Sequence, residues 1–349
     1  MSITKAYTIN NEKNWFYPIV GTPAQEYYHY TGLSSAINIL TLNESGKKTY
    51  NELWVSHFLY LNDTKEFQEG FETLLTVIKE TLSSYPAAVK QYFKNFIDLF
   101  TTTEKLPMIE RYLHAFAKCD SSYLLFFPNH FSLSFCGDGN LLSQWKWYGK
   151  NSGIAIEFEL NNCRVSGHNL NLSEGCGAKP LVGNVKYQPD SEKKQTIAEL
   201  LRFTTDMQDK QYTAQGILLK AFREISYLKH TGFKEEKESR IIFPLVYNDI
   251  EMSEAEALKH IKYREVDGII KPYLKIRFMG NDDKPIIKSV MVGPGQNQQL
   301  VFNAMMSLIE SNYPKGITDY KETPRPLLDY TYIKINNIEV RRSTIPFRG

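Results

Sequence analysis

Three short runs of this chain carry residues whose types and spacing could do chemistry. In Tyr28-His29-Tyr30-Thr31-Gly32, an imidazole lies between two phenol rings, just ahead of a run that reads as a helix start. A histidine at a strand end beside a helix N-terminus could bind an anionic or sugar ligand: the helix end favours phosphate, and the rings offer stacking surface. The same residues also fit a packed aromatic strand with a structural histidine. In Ser132-Leu133-Ser134 two hydroxyls fall on one face of an alternating strand. In Glu236-Lys237-Glu238-Ser239-Arg240 two carboxylates lie two apart as the chain enters a strand. If extended, they point the same way and repel unless a cation or ligand lies between them, which can raise one pKa. Arg240 shares that face and is the expected cation. The competing reading is a solvated charge run from Lys234 to Arg240.

The elements that must position these groups follow from periodicity. Tyr28–Tyr30 suits a strand, Gly32 permits a turn, and Ser34 or Ser35 can cap a helix carrying Ile37 and Leu40. A strand over Leu53–Phe58 leads to Asn62 or Asp63 as the cap of a helix from about Lys65 to Thr81. Further helices are expected near 87–100 and 108–117. Strands are expected at His130–Phe135, Ile154–Leu160, Val182–Tyr187, Ile241–Val246, Ile269–Met279, Pro285–Gly293 and Ile338–Val340. A short helix over Leu141–Tyr148 carries Trp145, Trp147 and Tyr148, and one or two helices fill 191–228. Residues 161–179 read as a long polar loop, a lid or an insertion. Gly293-Pro294-Gly295 opens a strand-to-helix turn before a helix over Gln298–Ser311, without the spacing of a nucleotide fingerprint. The expected fold is one α+β domain over 1–349. Its β core is mixed and largely antiparallel, surrounded by helices, with 65–117 as a helical insertion or subdomain.

Composition narrows the classes. A chain of 349 residues with 42% hydrophobic content can bury a large core. The net charge of +2 supplies no overall field for non-specific nucleic-acid binding, though a local basic patch remains open. Neither a signal-peptide core at Met1-Ser2-Ile3-Thr4-Lys5 nor an apolar run of spanning length is present, so a cytoplasmic protein without a membrane contact is expected. The four cysteines fit reduced thiols. Cys163, His168 and Cys176 match no zinc spacing, so no metal is expected.

The ordered set of motifs resembles the bacterial family called domain of unknown function 2971. The set is Tyr28-His29-Tyr30-Thr31, Leu61-Asn62-Asp63 with Glu66, Ser132-Leu133-Ser134, Trp145 with Tyr148 and Gly153, Glu236-Lys237-Glu238 with Arg240, Gly293-Pro294, and Ser343-Thr344-Ile345-Pro346-Phe347-Arg348. The chain departs from the family's pattern in extra helical sequence between about Ser83 and Ala117, in Thr64 where proline is usual, and in Ser239 where an aromatic is common.

More distantly the order of polar residues is similar to that of ADP-ribosyltransferases: His29 first, then Ser132 and Ser134 with Tyr148, then Glu236 or Glu238. That resemblance implies NAD as substrate and an ADP-ribosyltransferase-like β core. It implies a toxin or antiviral effector that modifies a protein or nucleic acid. Glu238 would be the principal catalytic carboxylate, facing the oxocarbenium-like ribose, and Glu236 its helper, orienting or deprotonating the acceptor. His29 would bind the other ribose. Tyr30, Tyr60 or Tyr148 would stack on nicotinamide, with Thr31, Gly32, Ser132, Ser134 and Arg240 completing the NAD pocket. The alternatives are a ligand-binding or sensor module without catalysis, and a metal-dependent nuclease using Asp63, Glu66, Glu236 and Glu238. The acceptor and the oligomeric state stay open.

Overall fold

A computed structural model describes residues 7–9, 12–14, 17–18, 26–45, 48–61, 64–101, 106, 110–111, 114–115, 129–148, 153–161, 163–167, 181–205, 213–245, 261–266, 268–280, 286–313 and 332–346. In chain order the first elements are β1 (Tyr7–Ile9), β2 (Glu12–Asn14), β3 (Tyr17–Pro18), β4 (Tyr28–Thr31), α1 (Leu33–Leu40), β5 (Asn43–Ser45) and β6 (Lys48–His57). Then come α2 (Thr64–Thr81), α3 (Ala87–Thr101), β7 (Asn129–Phe135), α4 (Leu142–Tyr148), β8 (Ile154–Phe158), β9 (Cys163–Gly167), β10 (Leu181–Asn184) and β11 (Lys186–Tyr187). After α5 (Asp190–Thr205) and α6 (Thr213–Ile225) follow β12 (Leu228–Lys229), β13 (Ser239–Leu245), β14 (Lys262–Val266) and β15 (Ile269–Gly280). The last are β16 (Ile287–Val292), α7 (Gln298–Asn312), β17 (Tyr332–Ile335) and β18 (Ile338–Arg342).

The fold is α+β with mostly antiparallel sheets, as expected. Among the described residues only β11–β12 and β16–β18 pair in parallel. The larger sheet runs β10-β13-β7-β6-β15-β9-β3, with β14 on β15 and β5 on β6. The second runs β17-β18-β16-β8-β4. Alternation along the strands assigns their faces. Leu53, Val55, Phe131, Leu133, Ile241, Leu274, Ile276 and Phe278 pack with Ile154, Ile156, Val290 and Val292 of the second sheet into one buried cluster, which Phe302, Met305 and Ile309 of α7 also join. A second cluster lies among α2, α3, α5 and α6, where Phe71, Phe96, Phe100 and Phe222 stack edge to face or in parallel. The helices of 65–117 thus share their core with those of 190–225. Among the described residues no helix is long and apolar enough to cross a membrane.

Several local expectations are corrected. The cap of α1 is Gly32, in extended backbone (φ −75°, ψ 164°) with no side-chain cap bond; Ser34 and Ser35 already lie inside the helix. That backbone is open to any residue, so Gly32 is not needed for a turn. Residues 161–179 are not one loop, because β9 lies within them and pairs with β15; 168–180 lie outside the described residues. The caps proposed at Asn62 and Asp63 also lie outside them, as does most of the helix expected at 108–117. The strand at 182–187 is two strands, β10 and β11. The stretch before β13 is not extended: Thr231–Glu236 is a 3-10 helix, and Lys237 ends it in the left-handed region at φ 44°.

The glycine of Gly293-Pro294 has a packing reason. Its N–H donates to the Gly153 carbonyl at 2.8 Å, and a Cβ there would sit 2.7 Å from the Trp145 ring. Trp145 in turn donates from Nε1 to Asn140 Oδ1 at 3.0 Å. Ser343, just past β18, donates to the same Asn140 oxygen at 2.6 Å and has its own N–H on the Val292 carbonyl.

Candidate functional site

The two sheets meet where the edge strand β4 runs beside the end of β7. Tyr28 and Cys136 exchange two backbone bonds, 2.9 and 2.8 Å long. This junction opens a cleft of two adjoining cavities. One, of 460 Å³, is lined among others by His29, Tyr30, Thr31, Gly32, Tyr60 and Arg264. The other, of 370 Å³, holds Lys229, Glu236, Glu238 and Arg240. Ser132, Ser134, Gln144, Trp147 and Tyr148 line both. The residues assigned to the NAD site in the sequence, from His29 to Arg240, therefore line two adjoining cavities with shared walls, of a size that takes a small ligand or cofactor.

At its floor is a buried ion cluster. Lys229, the last residue of β12, reaches Glu236 Oε2 at 2.7 Å and Glu238 Oε2 at 3.1 Å. Its ammonium also lies 4.7 Å from the centre of the Phe233 ring. Arg240 grips Glu238 in a fork, Nε to Oε1 at 2.6 Å and Nη2 to Oε2 at 2.9 Å, while its Nη1 donates to the Ser226 carbonyl. Gln144 donates to Glu236 Oε1 at 3.0 Å. The Tyr187 hydroxyl accepts the Glu238 N–H at 2.6 Å. The expectation that the two carboxylates converge is met, but by another route. A left-handed Lys237 between a 3-10 turn and a strand aims them together; Arg240 serves as a cation as expected, gripping Glu238, and Lys229 is the cation that bonds both. Gly137 allows this turn to nest against the loop after β7: a Cβ there would meet the Lys237 side chain at 2.9 Å.

Environment separates the two carboxylates. Burial pushes Glu238 up, but the charges of Arg240 and Lys229, with hydrogen bonds from Arg240 and Ser134, outweigh it and hold the carboxyl at about 2. For Glu236, burial is the largest influence; with the neighbouring Glu238 charge it outweighs Lys229, and the carboxyl is raised above its ordinary value. The signs for stability are opposite. The Glu238 contribution is complete above the unfolded value of 4.5 and is lost as pH falls toward 2. The Glu236 contribution is complete below 4.5 and is lost as pH rises through its raised folded value. Urea unfolding at pH 5 and at pH 2.5 is expected to reveal an acid loss of about 2 kcal/mol from Glu238, and this part disappears in Glu238→Gln. An equal acid loss in that variant would assign it elsewhere.

His29 is half-buried, and its Nδ1 lies 3.1 Å from the Ser134 carbonyl. A carbonyl only accepts, so Nδ1 carries the proton. Burial lowers the imidazole pKa, against the pull of that bond and with the help of the Arg264 charge. A neutral ring so fixed presents Nε2 as an acceptor, which suits a hydroxyl donor and not a phosphate. Ser132 is buried, and its Oγ has no hydrogen-bond partner among the described residues.

Tyr30 does not offer its phenol to the cleft. Its hydroxyl donates to the Asp138 carbonyl and accepts from the Leu141 N–H, both at 2.9 Å, and its ring meets Trp145 edge-on. It fastens the loop between β7 and α4. Stacking surface comes instead from Tyr148, 38% exposed, and Trp147, 72% exposed, at the mouth. Sequence reasoning passed over Lys229, Gln144, Tyr187 and Trp147 as site residues. The run Trp145-Lys146-Trp147-Tyr148 was a visible signal for Trp147; nothing marks Lys229 among the other lysines. Cys136 sits in the wall, where burial pushes its thiol far up and keeps it protonated. The nuclease residues Asp63 and Glu66 fall outside the described side chains. Among the described residues no group of three or more His, Cys, Asp or Glu is arranged to hold a metal ion.

Residues 144–241 match a family model described as a protein of unknown function (DUF2971), which supports the resemblance to that family. The matched stretch includes Gln144, Tyr148, Lys229, Glu236, Glu238 and Arg240. No curated protein and no solved structure matches the chain.

Proposed function

We propose that the cleft binds NAD and transfers its ADP-ribose to an acceptor. The observation that carries this reading is the pairing of two carboxylates of opposed character, Glu236 and Glu238, in one cleft with a neutral histidine acceptor more than 200 positions away in the chain. Glu238 is an anion at neutral pH. Three donor contacts, two from Arg240 and one from Lys229, occupy most of its lone pairs, so it contributes charge more than an open hydrogen-bonding site. It faces the positive charge that develops on the ribose as the bond to nicotinamide breaks. Nicotinamide leaves with the electrons of that bond. The acceptor's nucleophilic atom bonds to the ribose carbon, and its proton passes to Glu236, whose raised pKa suits a general base. His29 Nε2 accepts from a ribose hydroxyl, Ser132 gives its unpartnered hydroxyl to the ligand, and Tyr148 or Tyr60 covers the nicotinamide ring.

The near-saturation of Glu238 favours one other reading, a module that binds its ligand without consuming it. Incubating the purified protein with NAD distinguishes them. Release of nicotinamide, unchanged by chelator and detected by chromatography and mass spectrometry, is the expected result. Calorimetric NAD binding without consumption would support the binding module. Absence of both would remove NAD from the site.

A further inference from the structure

The face of the large sheet that carries the site does not stop at the cleft. Residues directly opposite across a ladder share a face, so the register can be followed outward. Arg240 lies opposite Ser134, Ser132 opposite Ser56, and Ser56 opposite Tyr273. Beyond these, Trp54 lies opposite Lys275, Glu52 opposite Arg277, Lys271 opposite Arg264, Tyr273 opposite Lys262, and Met279 opposite Arg164. Across β6, β9, β14 and β15 this face carries six cations, Arg164, Lys262, Arg264, Lys271, Lys275 and Arg277, against one carboxylate, Glu52, among the described residues; Glu52 pairs with Lys275 at 2.9 Å.

Three of the cations are also held against aromatic rings. The Arg264 guanidinium sits 5.6 Å from the centres of both the Trp54 and Tyr273 rings, which stack on each other. Lys275 lies 5.7 Å from Trp54, and Arg277 lies 4.9 Å from Tyr50. Packing on ring faces reduces the freedom these long side chains would lose on binding a ligand. Along β15, residues 271, 275 and 277 fall on one side with a stride of roughly 7 Å per two residues, on the scale of neighbouring phosphates in an extended strand. Arg264 and Lys271 line the 460 Å³ cavity itself, so the row runs into the cleft, and Trp147 stands exposed at the mouth.

We propose that this face docks a single-stranded nucleic acid, its phosphates on the cations of β14 and β15 and one base stacked on Trp147 at the cleft. Charge complementarity calls for a polyanion, and the exposed rings at the mouth call for unpaired bases, which a duplex does not offer. An acidic protein would satisfy the cations but leave Trp147 without a partner. The proposal names the acceptor for the site described above and rests on that reading only for what becomes of the strand; docking itself needs no NAD.

The test is fluorescence anisotropy of labelled single-stranded 12-mers of DNA and RNA with the full chain, without NAD, over a series of salt concentrations. Salt-sensitive binding is expected. The triple change Lys262→Gln, Lys271→Gln and Arg277→Gln should lower the slope of log affinity against log salt by about 2, at roughly 0.7 for each phosphate no longer neutralised. Trp147→Ala should weaken binding by roughly 10-fold with the slope unchanged. Lys186→Gln with Lys194→Gln, exposed and on other elements, should change neither quantity. Melting curves establish that each variant is folded. The proposal is overturned if no 12-mer binds at 50 mM salt, if the triple variant binds like the parent, or if a duplex or polyglutamate binds as tightly as the single strand. Nicotinamide release without oligonucleotide binding would remove this acceptor and leave the NAD reading standing; oligonucleotide binding without NAD turnover would do the reverse.

Discussion

Glu238→Gln is expected to lower nicotinamide release by about 100- to 1000-fold, the scale on which removing a fixed electrostatic contact to a transition state acts. The substitution keeps the shape of the side chain and one oxygen for the Arg240 fork. Lys229 keeps Glu236 at 2.7 Å. The cluster changes from two anions and two cations to one anion and two cations, so a positive ribose now develops against excess positive charge. The fold is expected to persist, with an unchanged circular dichroism spectrum. Single-turnover measurements with saturating NAD separate the loss of chemistry from weaker binding: a variant that raises only the KM would place Glu238 in ligand binding and not in bond breaking. Normal turnover would take Glu238 out of the reaction.

Lys229→Met is expected to be the most destabilising single change at the site, by about 3–5 kcal/mol, because it leaves two carboxylates facing each other in a buried place without their shared cation. Lys229 is 5% exposed and Glu238 equally so, so solvent compensates poorly for the lost cation at Glu238. Adding Glu236→Gln to Lys229→Met should recover part of the loss, since it removes one of the two repelling charges. The interaction between the two changes, read from chemical denaturation of both single variants and the double variant, should exceed about 1 kcal/mol. Additivity within about 0.5 kcal/mol would mean that Lys229 and Glu236 do not act as a unit.

How far the site was legible depended on what kind of regularity held each residue. Ser132 and Ser134 were legible because strand alternation is a property of neighbours, and β7 obeys it. His29 was legible as a polar residue between buried rings. Glu236 and Glu238 were paired for a reason that does not hold, since the backbone between them turns left-handed at Lys237 and the strand starts only at Ser239. Their convergence depends on Lys229, and the burial of one lysine in a two-residue strand is a tertiary event with no local signature. The basic face was hidden for a related reason. Arg164, Arg264 and Lys275 come from three strands, and only the register of β15 against β9, β14 and β6 brings their charges to one side. β14, with its run of charged residues, carries too little apolar alternation to announce a strand.

The hydrogen bond between Asn140 and Ser343 closes over 203 positions of chain. It steadies the oxygen that also holds Trp145, and through Trp145 the Tyr30 ring and the wall of the cleft. A fold dominated by such distant pairings has high contact order and assembles slowly. During synthesis, residues 28 to 240 leave the ribosome well before β18 can lie parallel to β16 and bring Ser343 to Asn140. The cleft is thus completed late, after its chemical groups have been made, and a nascent or truncated chain ending before residue 343 carries those groups without the brace that aligns them.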